Sequence, residues 1–235
     1  YINESDKAYK AAKVVYDAKP VDLSGIKDMQ LKYFASPSEC LFALSNNELI
    51  DYSIEVLGNP GEGVNSAYYI TREMYDELYE GVVGDAHIRD LVWDKNTPDN
   101  AANKQCVIKK YFYNTSASYG ADELLTKLQI IPMIRMCEVY LILMETTVSL
   151  DEANALYTEY MLSHNVGDAE KFTSLEQVKE FVKNEIRREF YAEGQMFYTY
   201  KRLGIQQMMF AAEGKNVGEN EYILPLPDTE FNPAE

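Results

Sequence analysis

The sequence has no apolar run long enough to cross a membrane. A spanning helix needs about 20 consecutive apolar residues, and the longest apolar stretch, positions 130–144, is interrupted by Arg135 and Glu138. That stretch therefore predicts a buried helix. With 46% hydrophobic and 26% charged residues among 235, the chain has the composition of a folded protein with a sizeable core.

Cysteine and histidine are scarce, which limits the metal sites that the chain could support. Cys40, Cys106 and Cys137 are far apart and none belongs to a C-x-x-C pair, so they predict neither a zinc site nor a disulfide framework. Each lies in an apolar stretch and is expected to be a small buried residue. His87 and His164 lack the H-E-x-x-H context of a metalloprotease. We predict no metal site and no cofactor.

Basic residues are outnumbered, with 22 lysines and arginines against 38 acids and a net charge of −16. The negative electrostatic potential of such a chain repels phosphate backbones and anionic lipid headgroups, so we predict no nucleic-acid partner. In so acidic a chain, paired carboxylates such as Glu185 and Glu189 are expected by chance and do not indicate acid and base catalysis. Nucleophile-elbow, phosphate-loop and dinucleotide fingerprints are also missing. We predict that the protein is not an enzyme and has no catalytic residues.

Helical patterns dominate the second half of the chain. Ser149 with Glu152 and Ser174 with Gln177 form two capping boxes, each followed by an apolar stripe at helical spacing. Helices are predicted at residues 5–18, 132–147, 150–163, 175–190 and 195–202. The last four follow one another with short or moderate connections, which favours stacked antiparallel helical pairs.

Residues 19–130 carry weaker and more mixed patterns. Candidate strands cover residues 39–44 and 105–113, and a short helix covers residues 71–79. Turn-rich pieces such as residues 58–63 separate them. Loops on a rigid scaffold are where binding residues gather, so we expect a ligand site in this region.

Tyrosine is unusually frequent, with 19 residues against nine Phe and one Trp. A tyrosine ring has an apolar body and a polar tip, which suits a surface that stacks on sugar faces and bonds to hydroxyl groups. The candidate ligand residues are Tyr52, Tyr68, Tyr69 and Trp93, with Tyr113 and Tyr119 as further loop candidates. The alternative for each is packing in the core. That is the expected role of five tyrosines in predicted helices, Tyr140, Tyr157, Tyr160, Tyr191 and Tyr200.

Three C-terminal segments resemble the SusD/RagB family of outer-membrane nutrient-binding lipoproteins. Residues 131–141, IPMIRMCEVYL, are similar to the family's IPxIRxAExYLI helix. Residues 185–202, EIRREFYAEGQMFYTYKR, are similar to ERxxEFxxEGxRxxDxxR, and residues 222–233 to the closing YLLPIPxxExxxNP. The order and separation of the segments also match. Met196 and Thr199 depart from the pattern, which has Arg and Asp at these positions.

The first of these segments places two charges in apolar surroundings. Arg135 and Glu138 lie one turn apart in the predicted helix, and the residues around them are apolar. Charges buried in this way need partners. We therefore predict a buried polar network that joins them to Glu189, Glu193 or Arg202.

The resemblance implies a fold class and a division of the chain. The fold is expected to be mainly α, with SusD-like stacked helical, tetratricopeptide-like pairs and an irregular loop-rich region carrying a few short strands. The whole chain, 1–235, is expected to form a single SusD-like domain that is truncated at its N-terminus. Its expected parts are a helix of an incomplete repeat at 1–18, an irregular ligand region at 19–130, helical pairs at 131–211 and an extended C-terminal strap at 212–235.

The resemblance also implies a function. Two upstream pieces extend it over most of the chain, since residues 85–89 are similar to the family's DxR segment and residues 105–111 to a strand ending in KY. The implied role is capture of a glycan or other nutrient and its delivery to a SusC-like TonB-dependent transporter. The implied location is the outer membrane, as a surface-exposed lipoprotein whose N-terminal lipid anchor is absent from this chain. The alternative is a helical protein-interaction scaffold of the outer membrane without a ligand of its own.

Overall fold

A computed structural model describes residues 4–23, 25–57, 68–79, 88–97, 105–112, 118–209 and 216–223. Helices predominate in these residues and the strands are short, which confirms the predicted mainly α class. In the described part of the chain, every helix is too short or too polar to cross a membrane. Four sequence features lie outside the described residues, namely the turn at 58–63, positions 85–87, Tyr113, and positions 224–235 of the expected strap.

The chain forms nine α-helical segments and five strands within the described residues. The α-helices are α1 (Ser5–Ala18), α2 (Gly25–Gln30), α3 (Leu49–Leu57), α4 (Arg72–Leu78), α5 (Ala121–Glu123), α6 (Met136–Thr146), α7 (Leu150–Ser163), α8 (Leu175–Glu189) and α9 (Met196–Leu203). The strands are β1 (Cys40–Ser45), β2 (Ile70–Thr71), β3 (Trp93–Thr97), β4 (Gln105–Ile108) and β5 (Ile130–Arg135). Short 3-10 turns cover Pro37–Glu39, Ile88–Val92 and Glu219–Tyr222, and a π-helical turn covers Leu124–Leu128.

The main core surrounds α6, which packs against α1, α7 and α8. Its side chains Met136, Leu141, Leu143 and Met144 are almost completely buried. A helix that is apolar on most of its faces is stable only when other elements cover it on several sides. This explains why the longest apolar stretch of the sequence lies at the centre of the helical array.

The ends of the later helices follow the capping signals of the sequence. Ser149 Oγ accepts a hydrogen bond from the Glu152 amide, and Ser174 Oγ accepts one from the Gln177 amide, both at 3.3 Å. Each serine satisfies one amide that the first turn of a helix leaves without a partner. At the other end of the array, α9 stops at Gly204, which has a left-handed backbone with φ 63°.

The segment predicted as the start of a helix at Pro132 is instead a strand. β5 runs antiparallel to β1, with Ala43 opposite Pro132, and α6 begins only at Met136. Proline lacks a backbone N–H, but both strands of a two-stranded sheet are edge strands, where this is tolerated. The isoleucines of β5 also favour an extended backbone. The helix prediction was therefore wrong for residues 132–135.

A second, smaller core lies in the region expected to be irregular. β4 lies between β2 and β3 in an antiparallel three-stranded sheet. Met29, Tyr75, Leu78 and Trp93 are buried together against this sheet. The strand expected at 105–113 is confirmed but ends earlier, and the helix expected at 71–79 is confirmed as α4.

Candidate ligand site

Trp93, the first residue of β3, is the centre of an aromatic cluster. Its ring packs edge-on against Tyr75 and Tyr191, with ring centroids 5.7 and 4.7 Å apart. Its indole Nε1 donates a hydrogen bond to the Tyr79 hydroxyl at 3.0 Å. Only 4% of the residue is exposed. The pairing of β3 with β4 buries Trp93, which agrees with the packing alternative, and contact of Trp93 with a ligand stays a prediction.

A hollow of about 250 Å³ lies beside this cluster, and we call it the aromatic hollow. Its lining residues are Tyr68, Tyr69, Ile70, Trp93, Cys106, Ile108, Tyr191 and Ala192. Tyr68 is 62% exposed and Tyr69 is 45% exposed, so both rings are accessible from solvent. The structure thus brings together Tyr68, Tyr69 and Trp93, three of the four candidate ligand residues.

The fourth candidate, Tyr52, lies away from the lining of the hollow. It is on α3 and not on a loop, and it is 64% exposed. Tyr119, a further loop candidate, is half-buried and also lies outside the lining. A site that included either residue would have to extend beyond the aromatic hollow.

Tyr191 lines the hollow, although its place in a predicted helix favoured a role in the helical core. α8 ends at Glu189, and the turn that follows contains left-handed backbone at Ala192, φ 65°, and Gly194, φ 72°. This turn directs the half-buried Tyr191 ring onto Trp93. Gly194 was the available signal, since glycine adopts a left-handed backbone without strain and commonly follows the end of a helix.

Lys110 lies just after β4 and holds the turn that contains Tyr191 against that strand. Its buried Nζ donates hydrogen bonds to the carbonyl oxygens of Glu189 and Tyr191, both at 2.9 Å. It also forms an ion pair with Glu193 Oε1 at 2.6 Å. Burial lowers the pKa of Lys110, and Glu193 opposes that shift by favouring the ammonium form. Since β4 supplies Cys106 and Ile108 to the hollow, these bonds hold two of its walls together.

The side chains that line the hollow are aromatic or aliphatic, apart from one cysteine. Burial raises the pKa of the Cys106 thiol to about 11, so the thiol stays protonated and behaves as a small apolar group. In the described part of the chain, the lining residues include no carboxylate and no histidine. This part of the lining offers aromatic faces and tyrosine hydroxyls to a ligand.

Glu189 is the centre of a buried ionic network next to the hollow. Arg89 forms a two-point ion pair with it, from Nε to Oε2 and from Nη2 to Oε1, both at 2.7 Å. Arg135 Nη1 donates to Oε1 at 2.6 Å, and His164 Nε2 lies 3.0 Å from Oε2. Burial alone would raise the pKa of Glu189, but Arg89 and Arg135 hold it well below its ordinary value. Glu189 is therefore ionised at neutral pH.

The predicted network is confirmed for Arg135. Besides its bond to Glu189, its Nη2 donates to Glu193 Oε1 at 2.7 Å. Arg135 is the extended residue that precedes α6 and is not part of that helix. The prediction was wrong for Glu138, because no hydrogen bond or ion pair connects Glu138 to the network in the described part of the chain.

Two groups in this network have the spacing of metal ligands, and both include Glu189. The other members are Glu39 and Cys137 in one group, and His164 and Glu185 in the other. Each oxygen of Glu189 already accepts a hydrogen bond from a guanidinium group. A metal ion would meet those two positive charges, so the residues fit an ion-pair network better than a metal site.

Comparison with known proteins finds similarity at the level of structure. No protein-family model and no curated protein matches the chain. A SusD superfamily protein from Bacteroides thetaiotaomicron matches with a TM-score of 0.62 and 19% identity, over 97% of this chain and 55% of its own. A SusD-like carbohydrate binding protein from Bacteroides vulgatus matches with a TM-score of 0.59 and 16% identity, over 88% of this chain and 42% of its own. The chain has a SusD-like fold.

A second Bacteroides vulgatus structure, of a SusD superfamily protein, agrees with this assignment. Its TM-score is 0.62 at 16% identity, and the match covers 97% of this chain and 53% of its own. At these identities the likeness is one of fold. The chain spans about half the length of the solved SusD-like structures that it matches.

The segments that resemble the SusD/RagB family meet in the buried network. Arg89, Arg135 and Glu189 each come from a different one of these segments, and Lys110 comes from a fourth. The motifs therefore supply the buried ion pairs that connect these four segments of the SusD-like fold. The exposed rings of the aromatic hollow lie outside them, which is why the motifs identify the fold and not the ligand.

Proposed function

We propose that this SusD-like protein captures an oligosaccharide in the aromatic hollow. The observation that carries the proposal is that two exposed tyrosines, Tyr68 and Tyr69, share one lining with the rings of Trp93 and Tyr191. Sugar rings have apolar C–H faces and polar edges, and they match tyrosine rings that present both an apolar face and a hydroxyl. A structural neighbour described as a SusD-like carbohydrate binding protein supports the same class of ligand.

We further propose that the protein acts at the cell outer membrane, as a surface-exposed lipoprotein. There it would pass its ligand to a SusC-like TonB-dependent transporter. The exposed charged face of α8, which includes Glu176 and Lys179, would meet the transporter, because a stacked helical array offers a broad and stiff docking surface. Its membrane attachment would be a lipid anchor.

A scaffold role without a ligand is the second candidate, and one surface favours it. Phe42 and Ile134 lie opposite each other in the β1–β5 sheet, and both are about half exposed, at 53% and 47%. Leu44 on the same sheet is also exposed. Exposed apolar side chains that adjoin one another commonly mark a protein contact. This surface suits a protein partner better than a sugar.

Removing the exposed rings should weaken sugar binding. We expect Tyr68→Ala and Tyr69→Ala each to lower affinity by roughly fivefold, since a stacked aromatic contact contributes on the order of 1 kcal/mol. The measurement is isothermal titration against a panel of oligosaccharides, with the bound sugar then recovered and analysed. We expect the sugar to be recovered intact.

Tyr198→Ala is the matched control, because Tyr198 is 68% exposed but lies on α9, outside the aromatic hollow. It should bind sugar as the unmodified protein does. Tyr52→Ala tests whether the site extends to α3. Unchanged affinity in both hollow variants, with binding still measurable, would place the site elsewhere. Absence of binding to every oligosaccharide would favour the scaffold role.

Reversing the charge of the α8 face should weaken transporter binding. Lys179 and Lys183 lie on that face, and Lys179→Glu with Lys183→Glu changes its charge by four. We expect the yield of co-purified SusC-like transporter from solubilised outer membranes to fall at least severalfold, since like charges across an interface slow association. Lys7→Glu with Lys10→Glu on α1 is the matched control. An equal yield from both double variants would contradict docking through α8.

A further inference from the structure

A second cavity, larger than the aromatic hollow, lies between α6, α8 and α9, and we call it the α6–α9 cavity. Its volume is about 520 Å³, which is within the usual range of roughly 300–1,000 Å³ for small-molecule sites. Its walls include Leu141 and Ile142 of α6, and Ile186 and Phe190 at the end of α8. It shares no lining residue with the aromatic hollow. A ligand in this cavity would therefore bind at a site separate from that of the proposed sugar.

The walls of the α6–α9 cavity are held in place by the rest of the fold. Leu141 and Phe190 belong to the main buried core, and the Arg135 guanidinium lies 4.9 Å from the centre of the Phe190 ring. On the opposite side, Arg202 of α9 forms two bonds to Glu145 of α6, at 2.5 and 3.1 Å. The cavity is thus preformed, and a ligand would not have to create it.

Glu138 is the acidic residue of the cavity lining, and the described part of the chain gives it no hydrogen bond and no ion pair. Burial raises the pKa of Glu138, whereas the charge of Arg135 lowers it. The charge of Glu193 adds to the effect of burial, and the terminal amino group of the chain opposes it. A partly buried carboxylate without a direct partner is costly. A cation placed in the cavity would offset this cost and favour the ionised carboxylate.

The two basic lining residues do not supply that cation. Arg202 is engaged by both oxygens of Glu145, and Lys201 is an exposed side chain. The net charge of −16 also attracts small cations and repels small anions. The apolar walls require that the ligand carry an apolar body in addition to its charge.

We propose that the α6–α9 cavity binds a small organic cation, in which an ammonium group pairs with Glu138 and an attached apolar body packs against Leu141, Ile186 and Phe190. The chemistry identifies the class of ligand, a primary amine on a hydrocarbon or aromatic body. Neutral molecules of the same shape would fill the cavity but would leave Glu138 without a partner.

The test compares two probes of the same shape, 2-phenylethylamine and the neutral 2-phenylethanol. Their affinities for the whole chain are measured at neutral pH by ligand-observed nuclear magnetic resonance titration. We expect the amine to bind about tenfold more tightly than the alcohol, because a charge-assisted hydrogen bond contributes roughly that factor or more. Glu138→Gln should remove this advantage and leave the affinity for the alcohol unchanged.

Two further variants make the result specific to the cavity. Glu176→Gln is the matched control, because Glu176 also lies in the first turn of a helix but is fully exposed. It should leave both affinities unchanged. Ile142→Trp fills the cavity and should abolish binding of both probes, with thermal unfolding confirming that this variant is folded.

Lowering the pH adds a readout that does not depend on a variant. As the pH falls through the pKa of Glu138, the carboxylate is protonated, so the affinity for the amine should fall and that for the alcohol should stay constant. The proposal is overturned if amine and alcohol bind equally, if neither binds, or if Glu138→Gln keeps the preference for the amine. It is also overturned if folded Ile142→Trp binds the amine normally.

Discussion

Replacing Glu189 with glutamine is expected to lower the free energy of unfolding by about 3–5 kcal/mol. The substitution keeps the size of the side chain but removes the charge that Arg89 and Arg135 share. Both guanidinium groups are almost completely buried, so each would lose a partner that solvent cannot replace. Urea unfolding at pH 7 measures the change.

The same variant should lose part of the pH dependence of stability. The pKa of Glu189 is held well below its ordinary value of 4.5 in the folded protein, so folding favours the ionised carboxylate. The stabilisation is complete above about pH 4.5 and is lost as the pH falls from there towards the folded pKa. We expect the unmodified protein to lose more stability between about pH 5 and pH 3 than Glu189→Gln does.

Glu180→Gln is the matched control on the same helix. Glu180 is exposed and pairs with Lys183 at 2.6 Å, an arrangement that contributes less than about 1 kcal/mol. If Glu189→Gln were no more destabilising than Glu180→Gln, the ion pairs of Glu189 would not be a major source of stability between the SusD-like segments. Equal pH dependence in Glu189→Gln and the unmodified protein would contradict the depressed pKa.

Trp93→Ala should lower the free energy of unfolding by about 3–5 kcal/mol, as expected for truncation of a large buried ring. The substitution removes the contacts with Tyr75 and Tyr191 and the hydrogen bond to Tyr79. The three-stranded sheet and the wall of the aromatic hollow would lose their common support. Chemical unfolding, monitored by far-ultraviolet circular dichroism, gives the measurement.

Trp93→Phe separates packing from the hydrogen bond. It keeps an aromatic ring in the cluster and removes the indole donor to Tyr79, so we expect a smaller loss, with about 1 kcal/mol from the hydrogen bond itself. Tyr52→Ala, at an exposed position, should change stability by no more than about 0.5 kcal/mol. Normal stability of Trp93→Ala, combined with loss of sugar binding, would favour ligand contact over packing as the role of Trp93.

These predictions give the two kinds of aromatic residue different roles. Trp93 is a buried residue of the lining of the aromatic hollow, while Tyr68 and Tyr69 are exposed residues of the same lining. A substitution at Trp93 therefore changes stability first and ligand affinity as a consequence. A substitution at either tyrosine should change affinity while leaving the core intact, because an exposed ring buries little area in the folded chain.

Much of the helical part of the fold could be predicted from the sequence. The limits of α1 and the caps at Ser149 and Ser174 depend on nearest neighbours along the chain, and the structure confirms them. Apolar spacing also indicated which faces of α7 and α8 are buried. These signals are local, since a cap or an amphipathic stripe is complete within a few turns.

The polar network was predicted only in part. A network between Arg135 and Glu189 or Glu193 could be predicted because a charge in an apolar segment needs a partner of opposite sign. Glu138 also lies in an apolar segment of the sequence and was expected to join the network, yet it lines the α6–α9 cavity. The difference arises because Arg135 precedes α6 in an extended conformation, whereas Glu138 lies within the first turn of the helix.

The sequence by itself determined the class of the fold, the limits of most helices and the resemblance that the SusD-like structures bear out. Only the tertiary structure decided that residues 130–135 form a strand, that Trp93 is buried, and that Tyr191 faces the aromatic hollow. The physical reason is the same in each case. A strand depends on a partner strand that is distant in the chain, and burial depends on every element that packs against a side chain. Neither dependence is visible within a window of neighbouring residues.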